Sequence, residues 1–189
     1  MDANVLYSKT LRDWFALISK RSGSNGIELR WSEDVLVEWL YNLRRNAPGK
    51  GDAGIGGLRE NLVSAFPNAL ISGYTVDSAL LTGRDKFDAH VLAAADHGGV
   101  DYLVTDNTSD FAPFKDAYNF EIYSCDEMLC LILERRLDAV RGALLDNLAY
   151  WSAKSNSKDL VEALVDANAV QFADGVRKLR YALAMSGKY

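Results

Sequence analysis

Two cysteines and two histidines are the only thiol and imidazole ligands in 189 residues. Cys125 and Cys130 sit five apart in a helical pattern, with no CxxC and no histidine at metal spacing. They read as reduced core thiols, and no Cys/His cluster exists for zinc. No apolar run approaches the roughly 18 residues that span a bilayer. No secretory leader is expected at the start of the chain, because Asp2, Lys9, Arg12 and Asp13 bring charge into its first stretch. The expectation is a cytoplasmic protein without a membrane segment. The glycine-rich GKGDAGIGG at 49–57 lacks the Ser or Thr after Gly-Lys and the strong preceding strand of a phosphate loop. It reads as a flexible connector. No nucleophile elbow is present to support a Ser-His-Asp hydrolase.

What the chain does have is an ordinary globular composition, 49% hydrophobic and 25% charged. Its length suits one domain plus a small extension. The net charge is −5 and unevenly spread. From Asp77 to Glu127 there are eleven acids against Arg84, Lys86 and Lys115. Such a run is commonly a solvated face. An acidic chain is not the usual footprint of a nucleic-acid binder unless a cation and local basic residues compensate.

Periodicity and caps predict the elements. Residues 2–6 (DANVL) read as the end of a strand. A helix follows over 10–21, capped by Thr10, with Leu11, Trp14, Phe15 and Ile18 in one stripe. Ser32 caps a helix to about 46, striped by Val35, Leu36, Trp39, Leu40 and Leu43. A short helix is predicted at 58–66 and a strand at 69–72. Asp85 caps a helix over 86–97, stopped by Gly98-Gly99. Strands are predicted at 101–105 and 119–123, and Ser124 with Glu127 forms a capping box for a helix to about 136. Alternating strands and helices imply an α/β class: a three-layer α/β/α parallel sheet over 1–137. A C-terminal helical extension over 138–189, with helices near 138–153, 158–167 (capped by Ser157) and 169–184, is expected to pack on that core.

Ligands in open parallel sheets sit beyond the carboxyl ends of strands. Asp2 lies at one such end, and the 101–105 strand runs into Asp106, Asn107 and Asp110. Asp88 shares a helix face with Leu92 and Ala95, where a carboxylate is costly unless paired or bound to a metal. Clustered carboxylates need strong positive charge nearby. Hard oxygen ligands suit Mg²⁺ or Mn²⁺. His90 reads as a packed or capping residue rather than a base.

These residues carry a resemblance. Asp2-Ala3-Asn4-Val5-Leu6-Tyr7 resembles the DxN opening of PIN domains. Asp88-Ala89-His90-Val91-Leu92-Ala93-Ala94-Ala95 is similar to their D-x-H-V-L-A-A-A segment. Gly99–Thr105, then Asn107 and Asp110-Phe111, resembles their strand with T-x-N/D…D-F. Trp31-Ser32 followed by Glu38 resembles the region of their second acid. The match covers roughly residues 1–125 and is closest to VapC-like members with a helical C-terminal extension. It implies a Mg²⁺- or Mn²⁺-dependent endoribonuclease, the toxin of a toxin–antitoxin pair, with RNA as substrate and a small antitoxin protein as partner. Homodimerisation stays open.

By position, the resemblance makes Asp2 and Asp88 the main metal ligands. Glu38 is the second acid, orienting water or a second metal, and Asp110 with Asn107 completes the site. An alternating strand end points Asp106 and Asn107 opposite ways, and Asn107 is favoured to face the site. Asn4, Lys9, Arg12 and Lys86 are the candidate substrate contacts, the three basic residues as phosphate ligands. The alternatives are a catalytically degenerate PIN fold that binds RNA or protein, and an Asp2-dependent phosphatase, which Asn4 disfavours because a second Asp belongs there. Only Met1 precedes Asp2, so the first strand is expected to be abbreviated, with the α-ammonium competing for Asp2.

Overall fold

The structure is a computed structural model that describes residues 1–24, 26–46, 49, 51–76, 88–152 and 158–186. The chain divides into two compact units. The first comprises Met1–Tyr7 and Leu29–Tyr123, and the second Ser8–Glu28 and Ser124–Tyr189.

In the first unit the elements run α1 (Ala3–Tyr7), β1 (Trp31–Ser32), α3 (Glu33–Asn46), α4 (Asp52–Ala65), β2 (Leu70–Ile71), α5 (Ala89–His97), β3 (Tyr102–Val104), α6 (Thr108–Phe111) and β4 (Glu121–Tyr123). The second unit holds α2 (Lys9–Arg21), α7 (Cys125–Arg135), α8 (Leu137–Ser152), α9 (Leu160–Asp166) and α10 (Val170–Met185).

The expected three-layer α/β/α parallel sheet is not what the chain forms. Among the described residues it is mostly helical, with two separate two-stranded pairs, β1–β2 and β3–β4. Both pairs are parallel, in register Trp31↔Leu70 and Leu103↔Ile122. The physical reason lies in the lengths. Strands of two and three residues make few ladder bonds. The segment read as a first strand turns helical instead. Asp2 donates its N–H to the Val104 carbonyl at 3.1 Å, but its own carbonyl already accepts from Leu6 N at 3.5 Å and starts α1. Without that strand, nothing extends the ladder beyond Asp2.

Other differences follow burial. Helix α4 begins at Asp52, so most of the glycine-rich stretch read as a connector is helical; Ile55, 1% exposed, anchors it. Burying such a side chain offsets glycine's helix penalty of about 1 kcal/mol per residue. Ser8, not Thr10, caps α2, accepting from Leu11 N at 3.3 Å. Ser32 caps α3 through Val35 N at 3.2 Å, as its sequence pattern predicts. Asp85, Lys86 and Ser157 lie outside the described residues. Asp159 caps α9.

The first unit's core joins Val5 and Leu6 of α1 to Leu36 and Trp39 of α3, with Leu92 of α5 and Leu103 of β3 also buried. Trp31 meets Phe66 edge-on, with ring centroids 5.9 Å apart. In the second unit, Trp14 of α2 packs edge-on against Phe172 of α10 at 5.1 Å. Ser124 and Glu127 form the full capping box of α7. Asp126, one residue into that helix, accepts from Gln171 N at 2.9 Å and Phe172 N at 2.8 Å, satisfying amides at the start of α10. No described helix is long and apolar enough to cross a membrane.

Candidate functional site

Asp2 sits at a strand-to-helix junction and is 4% exposed. Its Oδ1 accepts from Ala3 N at 2.5 Å. Its Oδ2 accepts from Asn4 Nδ2 at 2.8 Å and from the Thr105 hydroxyl at 2.7 Å. A carboxylate offers about four acceptor positions, so among the described residues one on Oδ1 is left over.

Thr105 is the hub. Buried completely, it follows β3, with Thr105 N bonded to the Tyr123 carbonyl at 3.0 Å. Its hydroxyl donates to Asp2 and accepts from Asn4 Nδ2 at 3.0 Å and from Asn107 N at 3.1 Å. One donor and two acceptor positions are the full capacity of a hydroxyl. Asn4 is equally committed: its Oδ1 accepts from Asp106 N at 3.3 Å. Asp2, Asn4, Thr105 and the 106–107 backbone therefore form one interlocked group at the carboxyl end of β3. Thr105 stood inside the resembling signature without a role of its own. The readable signal was a threonine closing a short apolar strand two residues before an asparagine.

The other candidates lie on separate elements. Asp88 precedes α5, half-buried, and its carbonyl accepts from Val91 N at 3.0 Å. Glu38 of α3 is half-buried and faces α5, its Oε2 3.8 Å from His90 Nε2. That pairing gives Glu38 a neighbour 52 positions away in sequence. Asp110 is exposed in α6, with Ser109 Oγ donating to it at 3.4 Å. Asn107 takes the N-cap position of α6 without a side-chain cap bond. The Met1 ammonium donates to the Arg30 carbonyl at 2.7 Å.

Two of the basic candidates belong to the second unit. Lys9 pairs with Asp13 at 2.6 Å and lies 4.8 Å above the Trp151 ring. Burial pulls the Arg12 guanidinium down from its ordinary pKa, with Asp13 opposing. Lys86 is outside the described residues.

The donor set of Asp2, Asp88, Asp110 and Asn107 is all oxygen and in kind fits Mg²⁺ or Mn²⁺. Among the described residues, no three His, Cys, Asp or Glu groups are placed to hold an ion by themselves. Mg²⁺ does not need three, since it commonly binds through one or two carboxylates with waters and substrate phosphate. Compared with known proteins, the chain matches no family model, no curated protein and no solved structure.

Proposed function

We propose that the chain is a Mg²⁺- or Mn²⁺-dependent endoribonuclease centred on Asp2. The observation that carries the reading is the Asp2–Asn4–Thr105 group. A buried carboxylate with three internal donors is expensive to build. Here two segments about a hundred residues apart cooperate to fix its orientation and leave one acceptor position on Oδ1. Pre-organisation of this kind serves a carboxylate that must meet a ligand at a set angle.

In this reading Asp2 and Asp88 hold the ion. Thr105 and Asn4 position Asp2, because their polar atoms are spent on it and on each other. Glu38 supplies the second acid, and His90 lies close enough to influence its orientation. The ion itself would activate water and neutralise the leaving oxygen of the phosphodiester. A small antitoxin protein that covers the site is the partner this reading implies.

The second reading is an RNA- or protein-binding module without catalysis. It is favoured by the lack of three converging metal-binding groups among the described residues and by the donors already on Asp2. One experiment separates the two. Purified protein and its Asp88→Asn variant are titrated with Mn²⁺, following melting temperature and cleavage of a labelled single-stranded RNA. The nuclease reading expects Mn²⁺ to raise the parent's melting temperature, since an ion binding only the native state must stabilise it. It also expects Asp88→Asn to lose cleavage while remaining folded. An unmoved melting temperature with no cleavage overturns the nuclease reading. Cleavage by Asp88→Asn at the parent rate in saturating Mn²⁺ removes Asp88 from the site.

A further inference from the structure

The second unit contains a cavity of about 350 Å³ between the start of α2, the end of α8 and α9. That is within the size range of small-molecule sites. Its lining includes Lys9, Thr10, Asn147, Trp151, Lys158 and Asp166. We propose that this cavity receives an unstacked nucleobase with its 5′-phosphate. The proposal rests on the reading of the chain as an RNA-handling protein.

Asn147 carries the argument. It is 5% exposed, yet its carboxamide makes one bond, from Nδ2 to the Ala143 carbonyl at 3.1 Å on its own helix. Among the described residues nothing engages its Oδ1 or its second N–H. Asn147 lines the cavity, so this unengaged edge is available to a ligand there. A free C=O beside a free N–H on one planar group matches the adjacent donor and acceptor on a nucleobase edge, the match by which asparagine reads adenine. The indole of Trp151 supplies the kind of aromatic face on which bases of single-stranded RNA stack, once Lys9, 4.8 Å from the ring centre, turns aside.

The charges suit a phosphate at the mouth. Lys9 pairs with Asp13 and Lys158 with Asp166, and the lysine side chains remain 56% and 49% exposed. Exposed pairs of this type hold weakly, so either lysine can turn to a phosphate at little cost. Helix α2, 13 residues long, begins at the same mouth with Ser8 as its cap. Its positive end adds to the attraction.

The test uses the full-length protein in EDTA, so that binding is read without metal-dependent cleavage and independently of whether Asp2 is catalytic. Trp151 and the buried Trp14 both line the cavity, so quenching is assigned to Trp151 by its loss in Trp151→Phe. The probes are AMP, ribose 5-phosphate and a 2′-O-methyl oligoadenylate. The expected result is saturable quenching by AMP and by the oligonucleotide, with ribose 5-phosphate at least about tenfold weaker for want of a base to stack. Trp151→Phe keeps AMP binding, followed by calorimetry; Trp151→Ala and Asn147→Leu each weaken it roughly tenfold. Trp151→Ala alters a partly exposed residue, so the test survives if Asn147→Leu fails to fold. Quenching by AMP but not by the oligonucleotide assigns the site to free nucleotide and overturns the RNA-strand source. Equal binding of ribose 5-phosphate, no saturation, or an unchanged affinity in Trp151→Ala overturns the site altogether. None of these outcomes bears on whether Asp2 or Asp88 supports cleavage.

Discussion

The Thr105 hydroxyl donates to Asp2 Oδ2 at 2.7 Å across 103 positions of chain, and both residues are buried. The bond ties the end of β3 to the start of α1. It also fixes which way the Asp2 carboxylate presents its remaining lone pair.

Thr105→Val keeps the shape and removes the hydroxyl. Asp2 loses one donor, while Asn107 N and one Asn4 N–H lose their acceptor. Leaving such groups unsatisfied costs about 1–3 kcal/mol each when they stay buried. The expected outcome is a destabilisation of roughly 2 kcal/mol or more by urea denaturation, with Thr105→Ser restoring most of it. If Asp2 is the reactive acid, cleavage falls in Thr105→Val and returns in Thr105→Ser. A valine variant as stable as the parent would show that the network is not under tension from burial.

The helices of both units were largely readable, because each carries two independent signals. Helix α3 has the stripe Val35, Leu36, Trp39 and Leu43 and a serine cap; α7 has its capping box and a buried Met128–Leu129–Ile132 face. Segments with one signal were misread. DANVL is too short for periodicity to separate strand from helix, and the decision fell to the Leu6-to-Asp2 bond. At 49–57 the glycines argued for a loop, and from Asp52 onward burial of Ile55 outweighed them. Short apolar runs also cannot tell an isolated parallel pair from a full sheet, which is why the three-layer expectation failed. For the site, sequence order named Asp2 and Asn4 but not their anchor. A contact such as Asp2–Thr105 or Glu38–His90 depends on how distant segments pack, and single-sequence patterns do not record that.

Cys130 offers a pH test of the second unit. Burial pushes its thiol up to about 11, assisted by Asp126 and Glu134. Only the thiolate is nucleophilic, so at pH 8 roughly one molecule in a thousand is reactive at this position. Iodoacetamide labelling in the folded protein is therefore expected to be slow at pH 8. It should rise about tenfold per pH unit until near pH 11. Because the folded pKa lies above the unfolded value, this thiol contributes stability that is present below pH 9 and lost as pH climbs toward 11. Mass spectrometry of the labelled peptide gives the rate. Labelling at pH 8 as fast as in urea would refute the burial. Asp126→Asn should raise the reactivity at pH 9 by removing a negative neighbour, provided the start of α10 holds.

The last prediction concerns how the helical unit is assembled. Its members come from two stretches of chain, and Trp14 of α2, 1% exposed against Phe172 of α10, is where they meet. Arg21 of α2 also chelates the Asp146 carboxylate of α8, and Arg136 donates to the Ser22 carbonyl at 2.7 Å. The ion pair is about half exposed at Arg21, so solvent screens it and its loss should matter little. Trp14→Ala removes a large side chain from a closed contact, and about 3–5 kcal/mol is expected. That is a large share of the stability of a unit this size. A fragment of residues 138–189 lacks both α2 and α7 and so leaves the apolar faces of α8 and α10 without their main cover. It is expected to show no cooperative melt by circular dichroism. A fragment of 124–189 should gain helicity and a melting transition when a peptide of residues 8–28 is added, and a Trp14→Ala peptide should fail to produce either. A cooperative melt from 138–189 alone would place the stability of these helices in contacts other than those made by Trp14.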